Sequence, residues 1–457
     1  MARGRKRRGI SFGTVFILLI TIAVIGFSSV LVPRIAGQTN QNIDAQQIVN
    51  VLSASLDLPP LTLSDIPIFQ SATSDQGNLN VSNDLTQNTS LSTAPPVNME
   101  TPTATPMPAK QTFTLTAAGS MAFAEGVRKG AYNSESKTYD YRPILTPLGS
   151  EMTGDLCLAT LENTVASQAK ISDINVTGDV LDGLKAAQLD MLALGHEHIM
   201  DYGLEGLVDT ISAVRMAGFA TLGVNMDAQD ALVPNIVTLQ GVKVAILHYT
   251  DLMTNTGKKK ISSQNSAYAI SSFNMEKVAG DITGARSQGA QVVIVSLHWG
   301  SDSQTKATND QREMAQHIAD AGADVLLGAN SLAALPIEYL TGNRADGTKR
   351  PTLVCYSLGT LITDDRSKSA YTASMLLHLK ITHDPVTGAV SFDQVQFTPT
   401  YIWRYKEDGK YQYRVVASDL TPPEDMDESQ QKAMQKALEQ ITNLLAESPA
   451  KIRTMAQ

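Results

Sequence analysis

The stretch DMLALGHEHIMDYGLEGLVDTISAVRMA, residues 190–217, decides the fold. It opens with a short apolar run that ends on a glycine, and from residue 204 onward its apolar side chains recur at helical spacing. The polar residues between these parts run from His196 to Asp201. A strand, a polar loop and a helix in this order form the repeating unit of a mostly parallel sheet covered by helices.

The same alternation extends along the chain in both directions and predicts an α/β domain over residues 111–418. Further strands are predicted at 113–119, 156–162, 242–250, 291–300, 323–329 and 352–359, and helices at 204–217, 274–288 and 309–321. Residues 375–405 predict antiparallel strands joined by a turn at residues 384–388. The remaining residues, 419–457, predict a helical tail with an amphipathic helix at 428–447.

The N-terminus predicts a membrane anchor. Basic residues cluster between Arg3 and Arg8, and residues 9–33 carry no charge. About 20 apolar residues at 1.5 Å each are long enough to cross a bilayer. We therefore expect a cytoplasmic tail at 1–10, a transmembrane helix at 11–33 and a single-pass protein of the cell membrane whose large C-terminal domain is extracytoplasmic. A cleaved signal peptide is the alternative, although this apolar run is longer than the usual hydrophobic region of such peptides.

Residues 34–110 predict an extended stalk. They are rich in Ser, Thr, Asn, Gln and Pro, and no Lys or Arg occurs between Arg34 and Lys110. Such a composition cannot bury enough apolar surface to offset the entropy cost of ordering the chain. A short helix at 43–56 is the one interruption that we predict.

Charge and cysteine content exclude several classes of protein. The chain has 457 residues and a formal net charge of -9, without a basic patch beyond the N-terminus, which argues against a nucleic-acid partner. Its two cysteines, Cys157 and Cys355, exclude a disulfide scaffold and a cysteine zinc site of the usual spacing. Two buried thiols and one bridge between them both remain open.

Polar side chains collect at or just beyond the carboxyl ends of the predicted strands. They are Ser120, Glu162, His196, His198, His248, His298, Asn330 and Ser357. In open α/β sheets this edge binds ligands, because its loops are held in place by the sheet but are not needed for packing. A satisfied structural histidine is the plainer interpretation of His248. His298 and the pair His196 and His198 are favoured as functional because they share the edge with Glu162 and Asp201.

Six short motifs follow the strands in a fixed order: GSM at 119–121, TLE at 160–162, HEHIMDYG at 196–203, HWG at 298–300, NSL at 330–332 and YSLG at 356–359. In these motifs and their spacing, residues 112–364 resemble the CapA proteins of poly-γ-glutamate capsule synthesis, which belong to the calcineurin-like metallophosphatase superfamily. The resemblance implies a layered sheet sandwich covered by helices. It also implies a site in which Asp, Asn and His side chains hold two divalent metals.

The motifs depart from the family pattern at the positions that would hold the metals. Ser120 stands in place of the bridging aspartate, and Asn330 and Leu332 stand in place of two histidines. A leucine has no donor atom, so we expect that the dinuclear centre does not assemble. Glu162, His198 and His298 remain as candidate metal ligands, which leaves a single divalent metal and an unoccupied polar cleft as the two interpretations.

The first functional hypothesis is a membrane-anchored, CapA-like protein of capsule or poly-γ-glutamate biosynthesis that binds or assembles instead of hydrolysing. Its partners would be an anionic cell-surface polymer and capsule-synthesis subunits. The candidate ligand-binding residues at the strand edge are Ser120, Glu197, His248 and Asn330. Lys258, Lys259 and Lys260 could contact a polyanion, although a solvated loop is the plainer interpretation of this run.

The alternative is a metal-dependent, phosphoesterase-like hydrolase of the cell envelope. Glu162, His198 and His298 would then bind metal, and Asp201 would orient a ligand histidine. His196 would act as general acid or base, so His196, His298 and Asp201 are the candidate catalytic residues. A third hypothesis is an envelope scaffold that retains the enzyme fold without its activity.

Overall fold

The computed structural model describes residues 108–344 and 347–453. All of them belong to one compact unit, Thr103–Gln457. The predicted basic tail, transmembrane helix, short helix at 43–56 and nearly all of the stalk lie outside the described residues. Within the described ranges, no helix combines the length and the apolar character that crossing a membrane requires.

Strands and helices alternate along most of the domain. The strands are β1 (Gln111–Met121), β2 (Tyr132–Asn133), β3 (Thr138–Tyr139), β4 (Leu156–Leu161), β5 (Met191–Ala193), β6 (Ala220–Leu222), β7 (Ile236–Leu239), β8 (Val242–Thr250), β9 (Val292–His298), β10 (Val325–Ala329), β11 (Ile337–Asn343), β12 (Lys349–Cys355), β13 (Thr360–Ile362), β14 (Ala373–His383), β15 (Val390–Glu407), β16 (Lys410–Ala417) and β17 (Lys451–Ile452). The helices are α1 (Glu125–Ala131), α2 (Arg142–Leu145), α3 (Val180–Ala186), α4 (Gly203–Met216), α5 (Asn255–Lys260), α6 (Ser263–Ser266), α7 (Met275–Ser287), α8 (Asn309–Ala321) and α9 (Glu428–Leu444). Short 3₁₀ turns occur at Thr146–Leu148, Asp230–Leu232 and Ser369–Thr372.

Two sheets form the framework of the domain. The first has the order β16-β15-β14-β1-β4-β5-β6, with β13 paired to β1 and β17 paired to β15. Its β1, β4, β5 and β6 are parallel, whereas β14, β15 and β16 extend it as antiparallel strands. The second has the order β11-β12-β10-β9-β8-β7, in which the four central strands are parallel and the two edge strands are antiparallel.

The two sheets pack face to face, and helices cover their outer faces. Phe113 and Leu158 from the first sheet share one buried cluster with Val244 and Ile294 from the second. The outer face of the first sheet packs against α3 and α4, and that of the second sheet packs against α7 and α8. The domain is therefore a layered α/β sandwich, as the sequence and the resemblance predicted.

The C-terminal segment packs onto this sandwich. The apolar face of α9, which includes Met434 and Ile441, belongs to the same buried cluster as Phe397 of β15. A capping box at Asp427 and Gln430 fixes where α9 begins. Beyond the helix, β17 adds a short parallel pairing to β15.

The two cysteines are free thiols, and each is buried in a different sheet. Cys157 lies on β4 and Cys355 on β12. Burial raises the pKa of Cys157 to about 11 and that of Cys355 to about 12. The interpretation as buried apolar residues therefore fits the structure, and the bridge does not form in it.

Candidate functional site

The carboxyl ends of the parallel strands bring the predicted residues together. Ser120 lies near the end of β1, where the pairing with β4 and β13 shifts register, and His298 is the last residue of β9. Glu162 directly follows β4, and the loop after β5 carries His196. Such irregular pairing at a strand end redirects side chains and is common beside functional sites.

Gly119 allows the backbone beside Ser120 to lie close to the backbone of Gly359. A Cβ atom on Gly119 would lie 2.2 Å from the carbonyl oxygen of Gly359, a residue that itself has a φ of 81°. The amide of Ser120 donates to the same carbonyl, at 3.0 Å. The first and last motifs of the chain, GSM and YSLG, are therefore held in direct backbone contact.

A continuous chain of contacts links the histidines and carboxylates at this edge. Nε2 of His298 donates to Oε2 of Glu197 at 2.6 Å, and Oε1 of Glu197 lies 3.7 Å from Nε2 of His198. Nδ1 of His198 donates to Oδ2 of Asp201 at 2.7 Å. Asp201 thus fixes the orientation of the His198 ring, and its predicted role of orienting a metal-ligand histidine stays a prediction. The hydroxyl of Thr254 also donates to Asp201.

Four buried polar atoms at this edge have no hydrogen-bond partner. They are Oγ of Ser120, Oε1 of Glu162, Nε2 of His196 and Nδ1 of His298. The Ser120 hydroxyl is still close enough to Glu162 to lower the pKa of that carboxyl, although burial has the larger, opposite effect. The last is 3.8 Å from Oε1 of Glu162, too far for a hydrogen bond. Buried polar groups in native proteins nearly always have partners, so four orphans on one strand edge indicate a site that is complete only with a bound polar group.

Burial and charge set opposite protonation preferences within the cluster. Burial raises the pKa of Glu162, and the charge of His298 only partly opposes this. Burial alone would lower the pKa of His298, but the hydrogen bond to Glu197 and the charges of both glutamates raise it above its usual value. Burial likewise works against ionisation of Glu197, yet the bond from His298 and the charges of His298 and His196 together outweigh it and lower the pKa of Glu197 to about 2. The pair therefore favours an imidazolium at His298 and a carboxylate at Glu197.

His196 stays neutral in this environment. Its ring centroid lies 6.3 Å from that of His298 and 6.5 Å from that of His198. Burial lowers the pKa of His196 to about 3. The amide of His198 donates to Nδ1 of His196 at 3.3 Å, so the proton resides on Nε2, the atom without a partner.

His248 joins the two sheets. Nδ1 of His248 is 2.9 Å from the hydroxyl of Ser296, and Nε2 donates to the carbonyl of Gly195 at 2.9 Å. A Cβ on Gly195 or Gly223 would lie 2.8 or 2.3 Å from the ring. Since both ring nitrogens bond to protein and the ring packs against two glycines, the geometry is that of a structural histidine.

The donor set does not fit a dinuclear metal centre. Ser120 offers a hydroxyl where a carboxylate would have to bridge two cations, and Leu332 offers no donor. The side-chain amide of Asn330 donates to the carbonyl of Trp299 at 3.1 Å and is buried in that contact. Across residues 108–344 and 347–453, no three His, Cys, Asp or Glu side chains are grouped so as to hold a metal ion. The single-metal set of Glu162, His198 and His298 stays a prediction.

One lysine of the run at 258–260 contacts the site loop and is not simply solvated, as the sequence suggested. Lys258, Lys259 and Lys260 end helix α5. The ammonium of Lys260 donates to the backbone carbonyl of Asp201 and lies 5.7 Å above the ring of Tyr202. Lys260 therefore supports the loop that carries the histidines, although all three lysines are exposed. Sequence reasoning missed this contact and that of Thr254, since neither follows from local spacing.

Comparison with known proteins identifies the family. The family model described as bacterial capsule synthesis protein PGA_cap matches residues 114–365, more than half of the chain. The PGA biosynthesis protein CapA of Bacillus subtilis is 26% identical over 252 residues, which cover 52% of this chain and 62% of the relative. The capsule biosynthesis protein CapA of Bacillus anthracis is 27% identical over 247 residues, covering 53% of this chain and 57% of the relative. The chain thus spans less than two thirds of the length of these relatives.

Similar solved structures include two proteins of low sequence identity. A 5'-nucleotidase precursor from Thermus thermophilus is 15% identical, with a TM-score of 0.39 and coverage of 73% of this chain and 59% of its own. The calcineurin-like phosphoesterase YfkN from Bacillus subtilis is 14% identical, with a TM-score of 0.37 and coverage of 73% and 99%.

Proposed function

Because the chain belongs to the PGA_cap family of bacterial capsule synthesis proteins, we propose that it is an accessory protein of capsule or poly-γ-glutamate biosynthesis that binds its polymer instead of hydrolysing it. Relatives named for PGA and capsule biosynthesis support the biosynthetic setting. The predicted N-terminal anchor supports a position at the outer face of the cell membrane.

The observation that carries the binding role is the set of four orphaned polar atoms at the strand edge. Ser120 and His196 present hydrogen-bond donors there, and Glu162 and His298 present a carboxyl oxygen and a ring nitrogen. A polymer with carboxylates and amides offers partners for all of these groups. Hydrolysis through paired metals would need ligands that Ser120, Asn330 and Leu332 do not supply.

Binding and hydrolysis are separated by one experiment on the purified full chain in detergent. Labelled poly-γ-glutamate is incubated with the protein, its binding is followed by fluorescence anisotropy, and its length is then measured by size-exclusion chromatography. We expect saturable binding and a polymer of unchanged length. Shortening of the polymer would reject the non-hydrolytic role.

A pair of serine variants tests whether the orphaned atoms contact the polymer. Ser120→Ala removes a buried, unpartnered hydroxyl from the strand edge and should weaken binding. Ser418→Ala is the matched control, because Ser418 is also buried and unpartnered but follows β16, away from this edge. Equal affinities of the two variants would mean that the strand edge does not touch the polymer.

The setting in capsule synthesis has its own test. Deleting the gene in its host should reduce surface-exposed γ-glutamyl polymer, and the full chain should restore it. Unchanged surface polymer after deletion would reject the accessory function. Fractionation of cells with an N-terminal tag on the chain tests the anchor, since a cleaved leader would separate the tag from the domain.

A metal-dependent hydrolase is the second candidate. It is favoured by one feature, the two ring nitrogens beside carboxylate oxygens: Nε2 of His198 at 3.7 Å from Glu197 and Nδ1 of His298 at 3.8 Å from Glu162. Turnover of phosphoesters with added manganese, abolished by His198→Ala, would favour this candidate. Turnover that is indifferent to this substitution would reject it.

A further inference from the structure

A basic cleft lies outside the strand-edge site, between helix α9 and the 3₁₀ turn Ser369–Thr372. Its volume is about 310 Å³, in the range of small ligand pockets. Three cationic side chains line it, Arg366, Lys368 and Lys436, and no acidic residue does. Arg366 and Lys368 are far from Lys436 in the sequence, so no local sequence pattern predicts the cleft.

The wall formed by α9 leaves room for a ligand. Ala433, Lys436, Ala437 and Gln440 all line the cleft, a spacing that places them on one face of the helix. The two alanines have the smallest side chains that still favour a helix, and they flank Lys436. This face of α9 therefore leaves space above its two alanines and carries one long cationic side chain, that of Lys436.

The three cations do not form ion pairs within the described part of the chain, whereas other cations of the domain do. Lys432, one turn earlier on α9, lies 2.6 Å from Glu428, and Arg312 lies 2.6 Å from Glu338. Among the described residues, Arg366 donates to the backbone carbonyl of Ile402, at 3.1 Å, and the ammonium of Lys368 lies 5.1 Å above the ring of Tyr371. Single lysines without an ion pair are common on surfaces, but three cations without a carboxylate partner around one concavity give it a positive potential in a chain whose net charge is -9.

One of the cations also ties the cleft to the strand-edge site. The ammonium of Lys368 donates to the backbone carbonyl of Ser303 at 3.1 Å. Ser303 lies in the loop that follows the HWG motif. The preceding residue of this loop, Asp302, accepts a hydrogen bond at its carbonyl from the amide of Leu332. A ligand in the cleft would thus lie beside the loop that begins at His298.

We propose that this cleft binds the carboxylates of the anionic polymer, as a second contact next to the strand edge. A γ-linked polyglutamate carries one free carboxylate per unit, so consecutive units can meet consecutive cations, and linked contacts bind more tightly than single ones. This inference rests on the proposed function for the identity of the polymer. The carboxylates would be held by charge, so the affinity falls as salt screens the cleft.

Charge reversal in the full chain tests the cleft, with labelled poly-γ-glutamate as the probe and neutral dextran as the uncharged comparison. Lys436→Glu should weaken binding of poly-γ-glutamate by about tenfold, and Arg366→Glu with Lys368→Glu by at least as much. Lys432→Glu is the matched control, since it changes the same charge on the same helix outside the cleft, and it should stay within about twofold of the unmodified chain. Lys436 is exposed, and thermal unfolding of each variant verifies that the fold is kept.

Three results would overturn the cleft proposal. Equal affinity of the Lys436→Glu and Lys432→Glu variants, or equal binding of neutral dextran, would reject the cleft alone and leave the proposed function in place. No binding of poly-γ-glutamate by the unmodified chain would reject the polymer-binding role together with the cleft. The setting in capsule synthesis is tested separately, by the surface polymer of the deletion strain.

Discussion

Glu197 accepts a 2.6 Å hydrogen bond from Nε2 of His298, although the two residues are 101 positions apart in the sequence. Glu197 follows β5 of the first sheet, and His298 ends β9 of the second. The bond therefore joins the carboxyl ends of the two sheets. It also determines protonation, because it lowers the pKa of the glutamate against the effect of burial and raises that of the histidine.

Glu197→Gln should destabilise the fold in a pH-dependent way. The lowered pKa of Glu197 contributes stability above its ordinary value of 4.5, and that contribution is lost as the pH falls toward about 2. The raised pKa of His298 contributes stability below its ordinary value of 6.5, and that contribution is lost as the pH rises through the folded value. Both contributions to stability are fully present between pH 4.5 and pH 6.5. Urea unfolding in this window should show a loss of about 1 to 2 kcal/mol, smaller in alkaline buffer.

Glu205→Gln controls for the change in charge, since Glu205 is an exposed residue in the first turn of α4. It should leave the free energy of unfolding nearly unchanged at either pH. A loss for Glu197→Gln that is the same in acidic and alkaline buffer would show that the pair is not ionised as we describe.

Gly223→Ala should be strongly destabilising because it would force His248 from its place between the sheets. The new Cβ would lie 2.3 Å from Cδ2 of the histidine ring, at a residue with a φ of 79°. Gly218→Ala is a matched control, since Gly218 has a φ of 95° but no atom within 4 Å of the added Cβ. We expect Gly223→Ala to cost about 1 to 3 kcal/mol more than Gly218→Ala in urea unfolding. Similar costs would mean that His248 is not wedged against this glycine.

His378 should make the domain sensitive to acid. Its ring is buried between Thr116 and Thr398, with Nδ1 3.0 Å and Nε2 2.9 Å from their hydroxyls. Burial, helped by the charge of Arg453, lowers the pKa of His378 to about 3 from its ordinary 6.5. The unfolded chain therefore binds the proton more readily, so stability falls as the pH drops below 6.5, by up to about 1.4 kcal/mol per pH unit.

His378→Gln should make this dependence shallower while lowering stability at neutral pH, as measured by urea unfolding in a series of buffers; it does not abolish the dependence, because burial also lowers the pKa of His196 to about 3 and that of His248 to about 4. The same substitution at His317, which lies on α8 outside the buried core, serves as the control. Parallel pH profiles for the unmodified chain and His378→Gln would contradict the assignment.

The parallel strands and long helices could be predicted from the sequence because their apolar periodicity is local. Helix α8 occupies the predicted residues 309–321, and β8 occupies the predicted 242–250. Short or half-exposed strands escaped prediction: β6 has three residues, and β11 alternates at the edge of its sheet. Such strands are specified by their neighbours and carry little pattern of their own.

The sequence predicts which residues lie at the strand edge, but not which of them form hydrogen bonds with each other. Placement of Glu162, His198 and His298 at strand ends follows from the order of strands and loops. Two hydrogen bonds join the two sheets, one between Glu197 and His298 and one from His248 to the carbonyl of Gly195. Since their partners are far apart in the sequence, no local spacing predicts them. The basic cleft is hidden for the same reason, since Lys436 is brought to Arg366 only by the packing of α9.

The metal content of the purified, dialysed full chain tests the central claim most directly. The claim is that Ser120, Asn330 and Leu332 leave the strand edge without the ligands of a paired-metal centre, so that it binds polymer through protein groups. Elemental analysis should then find at most about one equivalent of divalent metal, and less than about a tenth of an equivalent of any transition metal if the single-metal set is empty as well. A content near two equivalents of a divalent metal, retained through dialysis, would contradict the account.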